Sequence, residues 1–323
     1  MAAQDQAPIG SGFHAKSSAA DVVRGVDLSG RNVIVTGGYS GIGLETVRAL
    51  ASAGARVTVP ARRAGVAAEA LAPVAGEIEI ASMDLGDVAS VRKFADDYLE
   101  TGRDLDILIN NAGIMATPFG RVGKGWETQF GTNHLGHMAL ALKLAPALQA
   151  AEGARVVALS STGHIRSDVI WDDPHYTARP YDKWEAYGQA KSANALFALG
   201  VDLLGREVGV RAFSVHPGGI FTPLQRHLTD EEMAALGWKN ADGTIPPAVQ
   251  AMFKTPEQGA STTVWAATSP QLAGKGGVYC EDCDIARMAG PDSQRWEHAR
   301  EWIADDARAQ RLWDMSEKML ADA

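Results

Sequence analysis

The stretch that decides the fold is TGGYSGIG, residues 36–43. A short apolar run, 32–36, leads into it and predicts a β-strand. Leu44, Val47 and Leu50 follow at helical spacing. Glycines between a strand and a helix permit a tight turn and let the backbone approach a pyrophosphate, which the free N–H groups of the helix can bind. This context favours a nucleotide-binding turn over an ordinary loop. The residues of the turn that we expect to contact a dinucleotide are Gly37, Tyr39, Ser40, Gly41, Ile42 and Gly43.

On either side of this turn, short β-branched runs alternate with longer stretches rich in Ala and Leu. Such alternation is typical of parallel strands joined by right-handed helical crossovers. Strands that are apolar throughout indicate helices on both faces of the sheet. The sequence therefore predicts a single α/β domain with a Rossmann-like, doubly wound parallel sheet of about seven strands. The predicted strands are 32–36, 56–60, 77–82, 106–110, 154–160, 210–215 and 277–280.

No stretch of linker composition divides the 323 residues. We expect a catalytic, nucleotide-binding domain at 30–295, with insertions at 163–185 and 221–258 that shape a substrate pocket. Residues 1–29 would be an N-terminal extension of this domain. Residues 296–323 would be a C-terminal extension with the pattern of an amphipathic helix.

The composition narrows the class of protein. Hydrophobic residues make up 46% of the chain, which is enough for one large core. A net charge of −9 argues against nucleic acid or an anionic membrane as the main partner. No apolar run approaches the roughly 18 residues of a membrane span, and the first residues lack the apolar core of a secretory signal. We expect a soluble, cytoplasmic protein that acts on a small molecule.

Cys280 and Cys283 form a lone CxxC. Two thiolates alone cannot complete a tetrahedral zinc site, and no other set of His, Asp and Glu has metal-ligand spacing, so we predict no metal. A redox disulfide is one alternative. The simpler interpretation is a pair of reduced, partly buried thiols that the chemistry does not need.

The end of the second strand indicates which dinucleotide binds. An acidic residue here would hold the ribose 2′-hydroxyl of NAD, but the chain has Ala61 followed by Arg62 and Arg63. A guanidinium binds a 2′-phosphate through charge-assisted bonds. We predict NADP(H), with Arg62 as the contact, against the alternative of two solvated arginines at a helix start. After the third strand, Asp84 and Leu85 are the predicted adenine contacts, although Asp84 can equally belong to the start of the next helix.

A second group of residues carries proton chemistry. Tyr187 and Lys191 are four positions apart and share one face of a predicted helix. A phenol with a pKa of about 10 is a poor base at neutral pH, and a neighbouring ammonium lowers that pKa. Tyr187 can then donate a proton to a forming alkoxide or accept one in reverse. Ser161 ends the fifth strand, where its hydroxyl can bind the substrate oxygen.

Further motifs lie at the expected strand ends. NNAG at 110–113 follows the fourth strand, and YGQAK at 187–191 lies between the fifth and sixth. With the glycine turn, and in this order, they resemble the short-chain dehydrogenase/reductase family over about residues 30–290. NHLGH at 133–137 and SSTGH at 160–164 are similar to its retinol-dehydrogenase-like and protochlorophyllide-reductase-like branch.

The resemblance implies several roles. The second serine, Ser161, would be the catalytic one, Lys191 would also bond the nicotinamide ribose, and Asn133 would relay protons from the lysine through water. We expect His137, in the same motif as Asn133, to pack or to lie at the surface. The interval from Ser161 to Tyr187 is about twice the family's commonest spacing, as it is in retinol-dehydrogenase-like members. The other cofactor contacts that the resemblance implies are Asn111, Ala112 and Gly113 and, in a PGxxxT loop, Pro217, Gly218, Ile220 and Thr222.

These expectations combine into an NADP-dependent oxidoreductase that transfers hydride between nicotinamide and a carbonyl or secondary alcohol. Apolar side chains in the two insertions favour a bulky lipophilic or aromatic substrate. One alternative is reduction of a C=C bond on the same scaffold; another is a catalytically silent NADP-sensing protein, which the complete Asn–Ser–Tyr–Lys set argues against. A homo-oligomer is left open. The apolar residues in question are Trp171, Tyr176, Tyr181, Trp184, Leu224, Leu228, Met233, Leu236, Trp238, Met252 and Phe253.

Overall fold

A computed structural model describes residues 5–294 and 296–323 of the chain. Residues 1–4 of the predicted N-terminal extension, and residue 295 at the predicted boundary of the C-terminal extension, lie outside the described residues. The strands are β1 (Asn32–Val35), β2 (Arg56–Ala61), β3 (Glu77–Ser82), β4 (Ile107–Asn110), β5 (Arg121–Val122), β6 (Trp126–Glu127), β7 (Arg155–Leu159), β8 (Arg211–His216), β9 (Val278–Glu281) and β10 (Asp284–Ile285).

Helices occupy the gaps between these strands. A π-helical turn, Gly131–Leu135, joins the fifth helix to the sixth. Short 3₁₀ turns follow β7 at Thr162–Arg166 and β8 at Pro223–His227, and another lies at Glu301–Ile303. The α-helices are α1 (Ala19–Val23), α2 (Gly41–Ser52), α3 (Ala64–Leu71), α4 (Val88–Leu99), α5 (Thr128–Phe130), α6 (Gly136–Ala150), α7 (Lys183–Gly205), α8 (Asp230–Ala235), α9 (Pro247–Met252), α10 (Pro256–Thr268) and α11 (Asp306–Ala321).

One sheet organises the molecule, with strand order β10-β9-β8-β7-β4-β1-β2-β3. All its neighbours are parallel except β9 and β10. The order reverses beside β1, since β2 and β3 lie on one side of it and β4 on the other. This is the doubly wound parallel sheet that the alternation of strands and helices predicted.

Two layers of apolar side chains sandwich the sheet. Along β4, Leu108 packs with residues of α4, α6, α7 and α11. Its neighbours Ile107 and Ile109 point the other way and pack with residues of α1, α2 and α10. Successive side chains of a strand face opposite sides, so an all-apolar strand needs helices on both.

The sheet has eight strands in the described part of the chain, where we expected about seven. The extra strand, β10, is two residues long and antiparallel to β9. Its tight turn holds Asp282 and Cys283 at φ values of 51° and 61°. Asp282 is common at the first position of such a hairpin, but Cys283 is not the glycine that normally follows it, so the turn signal was incomplete. The small β5–β6 hairpin was missed because two-residue strands have no period to detect.

Both ends of the chain pack against this frame. The Gln6 amide nitrogen donates to the carbonyl oxygens of Tyr279 and Ala286, each at 2.7 Å, and holds the N-terminal extension on β9. In the C-terminal extension the helix begins only at Asp306, although the amphipathic pattern predicted one from Trp296. The preceding residues form a β-bridge and a 3₁₀ turn instead.

The thiols are more deeply buried than predicted. Cys280 and Cys283 are each 0% exposed and are not joined in a disulfide. The Sγ atom of Cys283 donates to Ser261 Oγ at 3.1 Å. Among the described residues, no helix has the length and apolar character to cross a bilayer.

Candidate active site

The carboxyl ends of the parallel strands meet at one edge of the sheet, where a cleft of about 950 Å³ opens. This is the position at which open α/β sheets bind ligands. Asn133 is fully buried and does not line the cleft. The other predicted site residues all lie on its wall: Gly37, Tyr39, Ser40, Gly41, Ile42, Gly43, Arg62, Asp84, Leu85, Asn111, Ala112, Gly113, Ser161, Tyr187, Lys191, Pro217, Gly218, Ile220 and Thr222.

The glycine turn forms one end of the cleft. Gly37 and Gly41 have φ values of 65° and 51°, in the left-handed region that glycine tolerates best. A Cβ atom at Gly43 would lie 2.4 Å from the carbonyl oxygen of Gly37 and 2.5 Å from Asn111 Nδ2. Only glycine therefore allows the start of α2 to approach the loop after β4. The free N–H groups of that helix start lie at the cleft wall.

Thr36 ties the glycine turn to the loop after β4. Its Oγ1 accepts hydrogen bonds from the backbone N–H groups of Asn111 and Ala112, both at 2.9 Å. The same oxygen lies 2.9 Å from Nε2 of His137, and Nδ1 of His137 lies 2.9 Å from the carbonyl oxygen of Asn133. A carbonyl only accepts, so Nδ1 carries the proton and Thr36 donates to Nε2.

Sequence analysis assigned no such role to His137. Burial lowers its pKa to about 4, which keeps the ring neutral and the tautomer fixed. The available signal was its position four residues after Asn133, on one face of a helix. Its partner Thr36 follows β1, about a hundred residues earlier in the chain, and the local spacing of residues cannot reveal such a contact.

Arg62 and Arg63 follow β2, which pairs with β1, so they lie next to the glycine turn on the cleft wall, and both are exposed. Within residues 5–294 and 296–323, neither guanidinium has a hydrogen-bond or ion-pair partner. An unpartnered pair of cations at this strand end can bind an anion of the ligand.

The turn after β3 brings Asp84 and Leu85 to the same end. Asp84 Oδ1 accepts from the backbone N–H of Gly86 at 2.9 Å and closes the turn. The side chain that caps α4 is that of Asp87, which accepts from Ala89 N at 3.0 Å. Asp84 is thus a turn residue on the cleft wall rather than the helix cap.

Ser161 and Tyr187 lie together at the middle of the cleft. Ser161 lies two residues after the end of β7, and its Oγ accepts from Gly163 N at 3.0 Å, capping a 3₁₀ turn. A Cβ at Gly163 would lie 2.7 Å from Tyr187 Cε1, so glycine there lets the turn pack on the phenol ring. Ser161 is near enough to Tyr187 to oppose the effect of burial on the pKa of the phenol.

We expected Lys191 to lower the pKa of Tyr187, but the pKa of this phenol is raised. Burial raises the pKa of Tyr187 to about 12, and the nearby Ser161 offsets this only in part. Lys191 Nζ lies 5.6 Å from the centre of the Tyr187 ring and donates to the carbonyl oxygen of Leu159 at 2.9 Å. Burial also lowers the pKa of Lys191 to about 8. Burial shifts the pKa of each group towards its neutral form, and this effect, which the spacing in the sequence does not show, explains why the direction predicted for Tyr187 was wrong.

Asn133 lies in the π-helical turn beneath the cleft. Its Oδ1 accepts from the backbone N–H of Ile114, and its Nδ2 donates to the carbonyl of Ile114, both at 2.9 Å. A Cβ at Gly113 would lie 3.4 Å from Asn133 Oδ1 and 3.8 Å from Lys191 Nζ. The amide thus clamps the loop after β4 close to the lysine. π-Helical turns of this kind are frequent at functional sites.

The loop after β8 closes the cleft from the opposite side. Thr222 Oγ1 accepts from Leu224 N at 3.2 Å and caps a 3₁₀ turn. Gly218 has φ 104°, and a Cβ there would lie 2.7 Å from Lys254 Cδ. Lys254, which sequence analysis missed, is buried and pairs with Asp282 at 2.6 Å. No motif links these positions, because the β9–β10 turn brings them together.

The two insertions contribute unequally to the wall. From 221–258, Leu224, Trp238 and Phe253 line the cleft. The four aromatic residues of 163–185 are not on its wall; Tyr176 is buried and packs edge-on against Tyr181. Long aromatic side chains pack internally more often than they line sites, so composition alone could not separate the two cases.

Known proteins resemble the chain in sequence and in structure. The family model for short chain dehydrogenase matches residues 31–233. A probable oxidoreductase of Streptomyces lividans is 44% identical over 294 residues, covering 90% of this chain and 97% of that protein. Retinol dehydrogenase 12 of Mus musculus is 34% identical over 304 residues, covering 91% of this chain and 88% of that protein.

Solved structures extend the likeness. An uncharacterized protein from Mycobacterium paratuberculosis is 31% identical, with a TM-score of 0.72 and coverage of 95% of this chain and 98% of that one. Pseudomonas aeruginosa RhlG, solved as an active-site complex with NADP, is 25% identical, with a TM-score of 0.61 and coverage of 79% and 95%. The family motifs, the sheet order and these likenesses agree, and the chain belongs to the short-chain dehydrogenase/reductase family of oxidoreductases, in its retinol-dehydrogenase-like branch.

Proposed function

We propose that this protein is an NADP-dependent oxidoreductase that interconverts a carbonyl and a secondary alcohol, with Tyr187 as the general acid and base. The observation that carries the proposal is that Tyr187 and Ser161 share the wall of one cleft with the glycine turn. A proton donor, an oxygen-binding hydroxyl and a dinucleotide cradle in one cleft suit hydride transfer to a C=O group.

The residues of the cleft fit NADP(H). The start of α2 has no side-chain cap and lies on the cleft wall, where its backbone N–H groups can bind a pyrophosphate. The partnerless Arg62 stands where the ribose 2′-phosphate lies in a Rossmann unit, and no acidic residue follows Ala61 to repel it. The NADP in the related RhlG structure supports the same choice. When bound, the nicotinamide supplies or accepts the hydride.

Side chains of the protein would donate and relay the proton. Burial holds the pKa of Tyr187 at about 12, so the phenol keeps its proton at neutral pH and can donate it to the substrate oxygen. Ser161 Oγ would donate a hydrogen bond to that oxygen and stabilise its developing negative charge. Lys191 would hold the nicotinamide ribose and, once charged, favour the phenolate that remains. Asn133 would pass protons onward through water beside Gly113.

The substrate end of the cleft is apolar. Trp238 packs edge-on against Phe253, with ring centres 5.9 Å apart, and both line the cleft. Trp184 packs edge-on against Tyr187 and against Trp238. Aromatic walls around one polar centre favour a bulky lipophilic or aromatic carbonyl.

A panel of aromatic, aliphatic and α,β-unsaturated carbonyls, assayed with NADPH and with NADH, tests this function. We expect turnover of bulky ketones or aldehydes with NADPH, with reduction at C=O. Products reduced only at C=C, or no turnover of any panel member or corresponding alcohol, would refute the proposed activity.

Tyr187→Phe is the matched variant. The ring is kept, so packing against Gly163 is retained, while the proton donor is lost. General acid catalysis contributes about 10²–10⁴-fold, and we expect kcat to fall by that order. The Kd for NADPH, from fluorescence titration, should hardly change. Near-normal turnover by this variant would assign the proton to another donor.

A further inference from the structure

The C-terminal segment at residues 296–303 reaches the catalytic serine through one buried side chain. This segment lies beyond the residues 31–233 that match the family model. It passes beside the 3₁₀ turn Thr162–Arg166, which begins directly after Ser161. The contact between them is made by His164, which is 0% exposed.

The two ring nitrogens of His164 face different partners. Nδ1 lies 2.7 Å from the backbone carbonyl oxygen of Ser161. The backbone N–H of Arg300 donates to Nε2 at 3.3 Å. The backbone carbonyl of His298 also faces the ring, but the shorter carbonyl contact is that of Nδ1 with Ser161, so Nδ1 carries the proton and Nε2 accepts from Arg300. The imidazole is thus a bridge with a defined direction, from the amide of residue 300 to the carbonyl of residue 161.

The surroundings keep this bridge in one form. Burial lowers the pKa of His164 to about 4, so the ring is neutral at physiological pH. The ring of Tyr279 packs edge-on against it, with ring centres 4.9 Å apart. A neutral, packed imidazole cannot flip without losing both bonds.

The C-terminal segment is itself anchored. Ala299 donates to the carbonyl of Arg287 at 2.9 Å and accepts from Ala289 N at 2.8 Å. Trp302 Nε1 donates to Ser192 Oγ at 3.2 Å, next to Lys191 on α7. The amide of Arg300 therefore projects from a segment held on both sides, which is what a positioning contact requires.

Bonds within its own turn also hold Ser161: its Oγ accepts from Gly163 N, and its carbonyl oxygen accepts from the backbone N–H of His164, each at 3.0 Å. A shift of the turn would move the hydroxyl relative to the phenol. Misplacement of catalytic groups by a fraction of an ångström lowers rate without preventing binding.

We propose that His164 is a positioning residue, and that the bridge Arg300 N–H···His164···O=C Ser161 makes the C-terminal segment part of the catalytic apparatus. The proposal rests on the function proposed above, because it assumes that Ser161 binds the substrate oxygen. It differs from that function in assigning catalytic importance to a segment outside the matched region.

Arg300→Pro tests the bridge by removing the N–H that donates to Nε2 and placing the ring Cδ in its position. The φ angle of Arg300 is −79°, within the range that proline adopts. Arg300→Ala is the reference, because it loses the same side chain and keeps the N–H. The two variants therefore differ in the contact between the backbone of residue 300 and the imidazole.

We expect Arg300→Pro to have a kcat about three- to tenfold below Arg300→Ala, the range that one net hydrogen bond provides. The Kd for NADPH and the Tm should differ little between the two. Equal kcat values would overturn the proposal. A parallel loss of NADPH affinity and Tm would also overturn it, since that would make the contact merely structural.

Two substitutions of His164 separate the halves of the bridge. Asparagine places its amide nitrogen near the position of Nδ1 and can still donate to the Ser161 carbonyl, whereas glutamine reaches only the position of Nε2. We expect His164→Asn to keep more of the wild-type kcat than His164→Gln. The reverse order, or equal loss in both, would contradict positioning through the Ser161 carbonyl.

Hydrogen exchange distinguishes failure of this inference from failure of the proposed activity. The amides of Gly163 and His164 bond to Ser161 Oγ and to the Ser161 carbonyl. We expect at least about threefold faster exchange in a peptide spanning 160–166 for Arg300→Pro than for Arg300→Ala. This result requires no substrate. Unchanged exchange would refute the bridge even if wild-type turnover is found, and faster exchange without wild-type turnover would refute the activity alone.

Discussion

At the scale of single residues, Asn133, Tyr187 and Lys191 of the site are buried. Arg62 differs, because its guanidinium is exposed at the cleft wall and has no hydrogen-bond or ion-pair partner among the described residues. Hydrogen bonds to charged groups contribute about 1.5–3 kcal/mol. A charged side chain with no bond to the protein to break can contribute this whole free energy to the binding of a ligand.

Arg62→Ala should therefore raise the KM for NADPH by roughly ten- to hundredfold, given 1.5–3 kcal/mol for the lost contact. The KM for NADH should stay nearly constant, because NADH has no 2′-phosphate. Steady-state kinetics with both cofactors measure this, with Arg63→Ala as the neighbouring control. If both cofactors weaken equally, Arg62 does not bind the 2′-phosphate.

Lys191 gives a prediction about pH. In the folded, cofactor-free protein, burial lowers its pKa from 10.5 to about 8. The unfolded chain keeps the proton up to about pH 10.5, so between pH 8 and 10 unfolding takes up a proton. Stability rises with pH wherever the unfolded state binds more protons, so the burial cost present below pH 8 is relieved as the pH increases.

The measurement is the free energy of unfolding in urea from pH 7 to 10 for wild type and for Lys191→Met. We expect the difference, wild type minus variant, to increase above pH 8 by at most about 1.4 kcal/mol per pH unit. A difference that is flat over this range would show that the buried lysine keeps its proton.

At the scale of elements, the close packing of one element against another determines the effect of a glycine on stability more than helix propensity does. The 3₁₀ turn after β7 and the start of α7 meet at Gly163 and Gly188, where a Cβ would lie 2.7 Å from Tyr187 Cε1 and 3.0 Å from the Gly163 carbonyl oxygen, respectively. By contrast, a Cβ at Gly65 in α3 would meet nothing within 4 Å. A larger residue would therefore meet its neighbours at positions 163 and 188 but would fit at position 65.

Gly163→Ala should destabilise the protein by about 1–3 kcal/mol through overpacking and lower kcat by displacing Tyr187. Gly65→Ala should instead be neutral or stabilise by up to about 1 kcal/mol, because alanine favours a helix. Thermal unfolding and kcat of the two variants provide the comparison. Equal effects on Tm would mean that the turn yields to the extra methyl group.

At the scale of the whole molecule, the thiols report on the integrity of the core. Burial raises the pKa of both Cys280 and Cys283, so neither forms a reactive thiolate near neutral pH. We expect no reaction with a thiol reagent such as DTNB in the native state and reaction of both thiols in denaturant. Cys280→Ala combined with Cys283→Ser, which keeps a hydroxyl beside Ser261, should lower the Tm but preserve kcat. Rapid native labelling would contradict the burial, and loss of kcat in a folded variant would assign the thiols a chemical role.

The seven longer strands and the positions at their carboxyl ends were predictable from the sequence, because both depend on local signals. An apolar run followed by a glycine turn and a helix predicts a parallel strand and its ligand-binding end without reference to the rest of the chain. The predicted positions of Arg62, Ser161 and Tyr187 required only the strand after which each falls. Two-residue strands such as β10 were beyond this reasoning, because they have no period.

Contacts between segments that are far apart in the sequence could be found only in the folded structure. His137 meets Thr36, Lys254 meets Gly218, and His164 meets Arg300 because strands and turns far apart in sequence converge at one edge. Burial, likewise, is a property of the packed molecule: it raises the pKa of Tyr187 to about 12 where the spacing to Lys191 predicted a lower one. Spacing specifies which groups can be neighbours on one element. The dielectric surroundings and the partners from other elements exist only once the chain is folded.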